Sequence, residues 1–281
     1  MSKKLIINAD DYGRTSEVSH GIREAHLKGM VTSTTCMMNI RGAAADVAIA
    51  LQETPRLGLG VHLVLTADDP ILPAGQVSSI TDQQGHFLRL DALIERLDEL
   101  YLNEVKREWQ AQIEAFIRAA KRPPTHLDSH HHSSFFSPKL FRAMLELAQE
   151  YHCAIRLPVV DKIHWEVTGL PEEQNISASI QQHIKDLVDE FKPACPDSFH
   201  ADFYDENATG AELERILAGQ KEGCAEIMCH PGYNDAVLQA VSSYNRQRDA
   251  ERMVLSEPGI RQRAAALGIS LIHFGDLTTS D

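Results

Sequence analysis

The sequence lacks the features that mark several large protein classes. No C-x-x-C pair occurs, and the five cysteines (Cys36, Cys153, Cys195, Cys224, Cys229) are odd in number and scattered. That pattern excludes a zinc-thiolate site and fits reduced, mostly buried thiols of a cytoplasmic protein. No apolar run approaches the ~20 residues that a membrane-spanning helix needs. The opening residues, MSKKLIINADDYG, pass from two lysines into a short apolar segment without a small-residue cleavage site, so no signal peptide is expected. Positive charge is scarce: 27 Lys and Arg against 40 Asp and Glu leave a formal net charge of -13. Such a surface repels nucleic-acid phosphate and anionic membranes, leaving a small neutral or cationic substrate as the better partner. No Gly-rich phosphate loop follows any strand-like run, which removes the usual mark of a nucleotide crevice.

What is present is an ordinary globular composition, 43% hydrophobic and 24% charged over 281 residues, ample for one closed core. Short β-like runs alternate with helical patterns. The runs are KLIINA (4–9), STTCMM (33–38), LGLGVHLVL (57–65), THLDSH (125–130), CAIRLP (153–158), GCAEIMCH (223–230) and ISLIHF (269–274). Helices are expected over roughly 15–29, near 42–53, over 91–120 with a break, and at 138–151, entered through the N-cap pair Ser137-Pro138. The alternation predicts an α/β fold, a distorted (β/α) barrel of about seven parallel strands, as one domain over 1–281. A barrel is preferred to an open sheet because polar residues cluster at the C-terminal ends of several strands. The stretches 66–90 and 159–205 read as loop excursions, either substrate-contacting or merely superficial.

Asp10 and Asp11 stand side by side after the first strand. One carboxylate can hold a cation while the other handles a proton, although acids at that place also suit the start of a helix. His62 lies in an apolar strand, where a lone histidine is more often a satisfied core residue than a ligand. On a strand, His126, Asp128, His130 and His132 share one face, because side chains alternate. Three imidazoles and a carboxylate on a buried face are costly without a cation or hydrogen-bond partners. Which of the histidines binds is left open by spacing alone. A carboxylate with two imidazoles is a set used for divalent metals with open coordination positions. His230, before Pro231-Gly232 at a strand end, is placed for general acid work or is simply a turn residue. Arg156, inside a strand, needs a partner and can orient a carboxylate. Asp276 is a weaker candidate for a supporting role.

Several of these segments are long and unusual. INADDYG with VTSTT (31–35), GLGVHLVLT (58–66), PTHLDSHHH (124–132), RLP (156–158), MCHPG (228–232) and FGDL run in order over essentially the whole chain. In them the sequence closely resembles the YdjC family of carbohydrate deacetylases, which includes chitooligosaccharide deacetylases. The resemblance implies a distorted β/α barrel related to polysaccharide deacetylases and a divalent metal, Mg or Zn, on Asp11, His62 and His130. It further implies Asp10 as general base and His230 as acid, with an N-acetylated sugar as substrate; for the mechanism, a backbone N–H near Tyr12 is expected at the oxyanion. Family members often carry H-x-H-x-H, and here Ser134 takes the last place, which leaves the sugar's identity open. The sequence itself gives no oligomeric state, and a homodimer is one assembly open to an acidic barrel. The rival enzyme reading is a metal-dependent amidohydrolase or phosphoesterase on a small non-sugar substrate. The first strand ends in Asp-Asp rather than the His-x-His of amidohydrolases, and few Lys or Arg flank the motifs. A binding protein without turnover would be expected to lack the base or the acid.

Overall fold

A computed structural model of the chain describes residues 2–157 and 178–278. Eight parallel strands are present: β1 (Lys3–Tyr12), β2 (Ser33–Cys36), β3 (Gly58–Leu63), β4 (His126–Ser129), β5 (Ala154–Ile155), β6 (Ser198–His200), β7 (Gly223–Cys229) and β8 (Ile269–Leu271). They form one curled sheet in the order β5-β4-β3-β2-β1-β7-β6, a half-barrel with helices packed around it. β8 lies outside this path because β1 is long enough to serve two neighbours on one edge. Lys3–Leu5 pair with β8, while the ladder to β2 begins at Asn8.

The helices follow the sequence pattern closely. Helix α1 (Ser16–Leu27) is capped by Thr15, whose hydroxyl accepts from the Val18 N–H at 3.1 Å, and α2 spans Ala43–Glu53. The broken amphipathic run resolves into α3 (Leu90–Glu95), a 3-10 turn and α4 (Leu102–Ala120). Helix α5 (Pro138–Glu150) starts at Ser137, as the Ser-Pro pair indicates. The stretch 159–205 differs from expectation. Its part 159–177 lies outside the described residues, but the rest contains helix α6 (Ala178–Phe191) and strand β6. Three residues are too few to show an alternation, so β6 has no sequence signature. β5 is shorter than the run 153–158, because it is the last strand of its edge and pairs with β4 alone. Helices α7 (Gly210–Gly219), α8 (Ala236–Val241), α9 (Arg246–Leu255) and α10 (Ile260–Ala266) complete the fold. No helix of the described residues is long and apolar enough to cross a membrane.

The half-barrel has two kinds of core. Leu5, Ile7 and Ala9 of β1 point outward into the main cluster, with residues such as Val18, Ile22 and Val47 of the helices. On the inner face, Ile6 joins Ala154, Cys224 and Phe274 in a small apolar plug. Above it the inner face turns polar: Asn8 and Asp10 from β1, His126 and Asp128 from β4, and Glu226 from β7 are all buried. Gly60 of β3 makes room for this layer, since a Cβ there would lie 2.5 Å from the His126 ring. The stretch 66–90 is an arm pinned to α4: buried Glu108 accepts the N–H groups of Ile71 and Leu72, each at 2.9 Å.

Candidate active site

The C-terminal end of the half-barrel opens into a cleft of about 890 Å³ whose lining includes Asp10, Asp11, His62, His130 and His230. Two adjacent residues of a regular strand would face opposite ways. Asp10 and Asp11 reach the same cleft because the β1–β2 register shifts between Ala9 and Tyr12, with Asp11 at φ 69. A non-glycine residue in the left-handed region costs about 1–3 kcal/mol, so the surroundings must enforce it. Tyr12 beyond it is fully buried, its hydroxyl donating to the Asp46 carbonyl at 2.7 Å and accepting from Arg23 at 2.9 Å. The Tyr12 side chain therefore faces the helices and is not part of the cleft lining.

Asp11, His62 and His130 converge. Asp11 Oδ1 lies 3.4 Å from His62 Nε2 and 3.0 Å from His130 Nδ1, and the two ring nitrogens are 3.3 Å apart. Asp11 Oδ1 is buried and has no hydrogen-bond partner among the described residues. Such an orphaned carboxylate oxygen beside two imidazole nitrogens fits a divalent cation in donor type and number. The other carboxylate oxygen accepts from Arg248 of α9. Burial would raise the Asp11 carboxyl, but Arg248 and then His130 hold it well below the usual range.

Below this trio, Asp128 Oδ1 takes the His62 Nδ1 proton at 2.6 Å, and Thr35 Oγ1 donates to Asp128 Oδ2 at 3.0 Å. This carboxylate–imidazole pair keeps the Nδ1 proton toward Asp128 and turns Nε2 toward Asp11. Burial opposes charge on His62, yet Asp128, Asp11 and Asp10 outweigh it and raise the imidazole to about 10. Asp10, His62 and Asp128 also lie close enough together to be a second candidate ligand group. Arg156 already occupies that second set. Its guanidinium grips Asp10 through two bonds of 2.8 and 2.7 Å, lies 3.1 Å from Asp128 and donates Nε to Glu226 at 2.8 Å. Burial raises the Asp10 carboxyl, but Arg156 overrides it and holds Asp10 well below its ordinary value.

His230 places Nε2 3.9 Å from Asp10 Oδ2, and its buried Nδ1 has no partner among the described residues. Burial lowers it to about 4, the nearby Asp10 notwithstanding. Its backbone N–H donates to Glu251, which also accepts from the Tyr244 hydroxyl. The loop that follows is tied down at Gly232, because a Cβ on Gly21 of α1 would meet the Gly232 Cα at 2.6 Å.

The remaining sequence candidates are distributed differently. His126 lies beneath the cleft, stacked on Phe274 with ring centroids 3.8 Å apart and bonded to Asn8 at 3.0 Å. The one-face alternation ends at Ser129, since His131 and His132 adopt φ of 54 and 55 in a 3-10 turn. Both still line the cleft. Asp276 is not brought there: it lines a separate cavity at the other end of the half-barrel and accepts from the His273 N–H at 2.9 Å. Sequence reasoning missed Glu226, Arg248 and Glu251. A charge inside the apolar run GCAEIMC was the available signal for Glu226, the partner that Arg156 requires. Arg248 and Glu251 read as surface charges of a polar helix, with nothing local to set them apart.

Comparison with known proteins matches this architecture. The model of the YdjC-like protein family matches residues 4–266. A carbohydrate deacetylase of Brevibacillus brevis is 35% identical, over 98% of this chain and 99% of its own length. A chitooligosaccharide deacetylase of Serratia marcescens is 32% identical, over 99% of this chain and all (100%) of its own. A crystal structure from Enterococcus faecalis V583, whose name refers to cellobiose-phosphate cleavage, superposes with a TM-score of 0.83 at 33% identity, covering 99% of both chains. The Xyl-CE4 domain of a xylanase from a termite hindgut metagenome (Trinervitermes trinervoides) shares the fold alone, with a TM-score of 0.50 at 7% identity over 99% of this chain and 90% of its own. By the family match and by identity over nearly its full length, the chain belongs to the YdjC-like family.

Proposed function

We propose that this protein removes the acetyl group from an N-acetylated sugar, an N-acetylglucosamine-containing mono- or oligosaccharide, releasing acetate and an amino sugar. The observation that carries the reading is the orphaned Asp11 oxygen facing His62 and His130 beside an Arg-clamped Asp10. The carbohydrate deacetylase relatives agree with it. Asp11, His62 and His130 would hold a divalent cation, Mg or Zn. Such an ion supplies Lewis acidity toward a water and an amide carbonyl.

The chain's own groups do the proton work. Asp10 accepts the proton of the attacking water, and Arg156 keeps its carboxylate ionised and correctly turned. A backbone N–H near Tyr12 offers a donor to the oxyanion. His230 rests neutral at about 4, so it is ready to take up the proton from Asp10, 3.9 Å away, and hand it to the departing amine. The arm 66–90 contributes Thr66, Asp68 and Arg89 to the cleft wall opposite Tyr204 and Tyr244, and serves as a substrate-contacting loop. Acetate release across a panel of N-acetyl mono- and disaccharides tests the reading. It is lost if Asp10→Asn and His130→Ala both keep normal release from every sugar that the wild type cleaves.

A further inference from the structure

A second cavity lies at the opposite end of the half-barrel. It exists because β8 and β2 share one edge of β1 without meeting, which leaves a gap between the end of β8 and the residues leading into β2. The cavity measures about 280 Å³, and its polar lining is His26, Thr32, Arg56, Arg261, His273 and Asp276. Among the described residues, two guanidiniums and two imidazoles thus face a single carboxylate, and Asp276 is already engaged by the His273 N–H at 2.9 Å.

The arginines here are paired unlike most others in the chain. Arg142 binds Glu190, Arg252 binds Glu24 and Asp249, and Arg263 binds Glu214 and Glu257. Arg261 instead spends Nε and Nη2 on the carbonyls of Gly29 and His26. Arg56 has no hydrogen bond or ion pair with any described residue. Both arginines are exposed, and among the described residues Asp276 is the one acid of the lining. The mutual repulsion registers on its members: after burial, Arg56 is the cause that holds Arg261 below its ordinary value, and both arginines depress His26.

We infer that this cavity binds a compact oxyanion, a phosphate group, remote from the catalytic cleft. The Arg56 guanidinium fork matches phosphate oxygens in charge and geometry, Arg261 adds positive charge beside it, and the volume suits a small group. The phosphate can be the free ion or the ester of a larger molecule that extends into solvent.

Titration calorimetry of the metal-loaded protein at low ionic strength, with inorganic phosphate and with glycerol phosphate, tests this. Saturable one-to-one binding is expected, weakened about tenfold or more by Arg56→Gln with thermal stability and acetate release unchanged. Arg56 is the residue of choice because it makes no hydrogen bond or ion pair with any described residue. Equal affinity for the ester identifies a phosphorylated molecule as the occupant, and preference for the ion identifies free phosphate; both uphold the site. Absence of saturable binding overturns it. So does binding that survives Arg56→Gln but is lost in Asp11→Asn, which would place the phosphate in the catalytic cleft.

Discussion

Arg248 of α9 donates to one carboxylate oxygen of Asp11 and leaves the other as the only one facing His62 and His130. The pairing makes Asp11 a one-oxygen donor of fixed direction. Residues in this supporting position tune cation affinity by about 10–100-fold. Arg248→Lys keeps the charge but loses the fork, and Arg248→Met removes both. Both variants are expected to bind Mg or Zn more weakly by that factor, Met more than Lys, in a competition titration with a chelating dye. Unchanged affinity in both would mean that Arg248 serves only the packing of α9.

Cation binding should expel a proton. In the cation-free protein His62 titrates at about 10, so at neutral pH it is protonated, and a cation must displace that proton from Nε2. Affinity is then expected to rise with pH, up to about tenfold per unit below that value for a single released proton. Calorimetry in buffers of different ionisation enthalpy measures the proton count directly. A count of zero contradicts the assignment of His62 as a ligand.

Asp10 and Arg156 are predicted to separate catalysis from stability. Asp10→Asn should lower the rate of acetate release by about 100-fold or more and leave cation affinity within a few-fold. Arg156→Met should unfold the protein more readily, by about 3–5 kcal/mol. It leaves Asp10, Asp128 and Glu226 without their shared cation in a fully buried layer. Denaturant titration and steady-state rates on the two variants check the split.

Glu251 gives stability a pH dependence of known sign. Burial lifts it from 4.5 to about 7, against its bonds from His230 and Tyr244. The folded state therefore holds more protons than the unfolded one between these values, and stability falls as pH rises across that window. The full span corresponds to about 3 kcal/mol. Glu251→Gln keeps an acceptor for the His230 N–H and should lessen the slope between pH 5 and 7 in thermal melts, leaving the share of Glu226, which burial raises to about the same value. A variant profile parallel to the wild type assigns the slope to other groups.

Gly60 tests the packing beneath the site. Gly60→Ala would place a methyl 2.5 Å from the His126 ring, and overpacking of this kind costs about 1–3 kcal/mol. A lowered melting temperature is expected, since His126 is itself wedged between Asn8 and Phe274. An unshifted melt would show that the ring can move.

Local pattern alone carried most of the frame. The alternation of apolar runs with capped amphipathic segments determined the parallel α/β curl, because period two and period 3.6 are properties of the chain and not of its partners. Strand phase placed His126, Asp128, His130 and His132 on one face, an alternation that the structure keeps only as far as Ser129, and the strand-end position of Asp10, Asp11 and His230 marked the mouth. Short edge strand β6 was invisible because three residues carry no period. Only the tertiary structure decided how neighbouring Asp10 and Asp11 share one cleft, since that depends on a register shift against β2. It showed His126 sealed under the site while His130 lines the cleft, a distinction that spacing left open and the family resemblance drew, and it sent Asp276 to the opposite end. It also supplied Arg248 and Glu251, which lie 237 and 21 residues along the chain from the groups they hold. Long-range pairing of polar side chains leaves no periodic trace in sequence, and it is by such pairing that this site's charges are set.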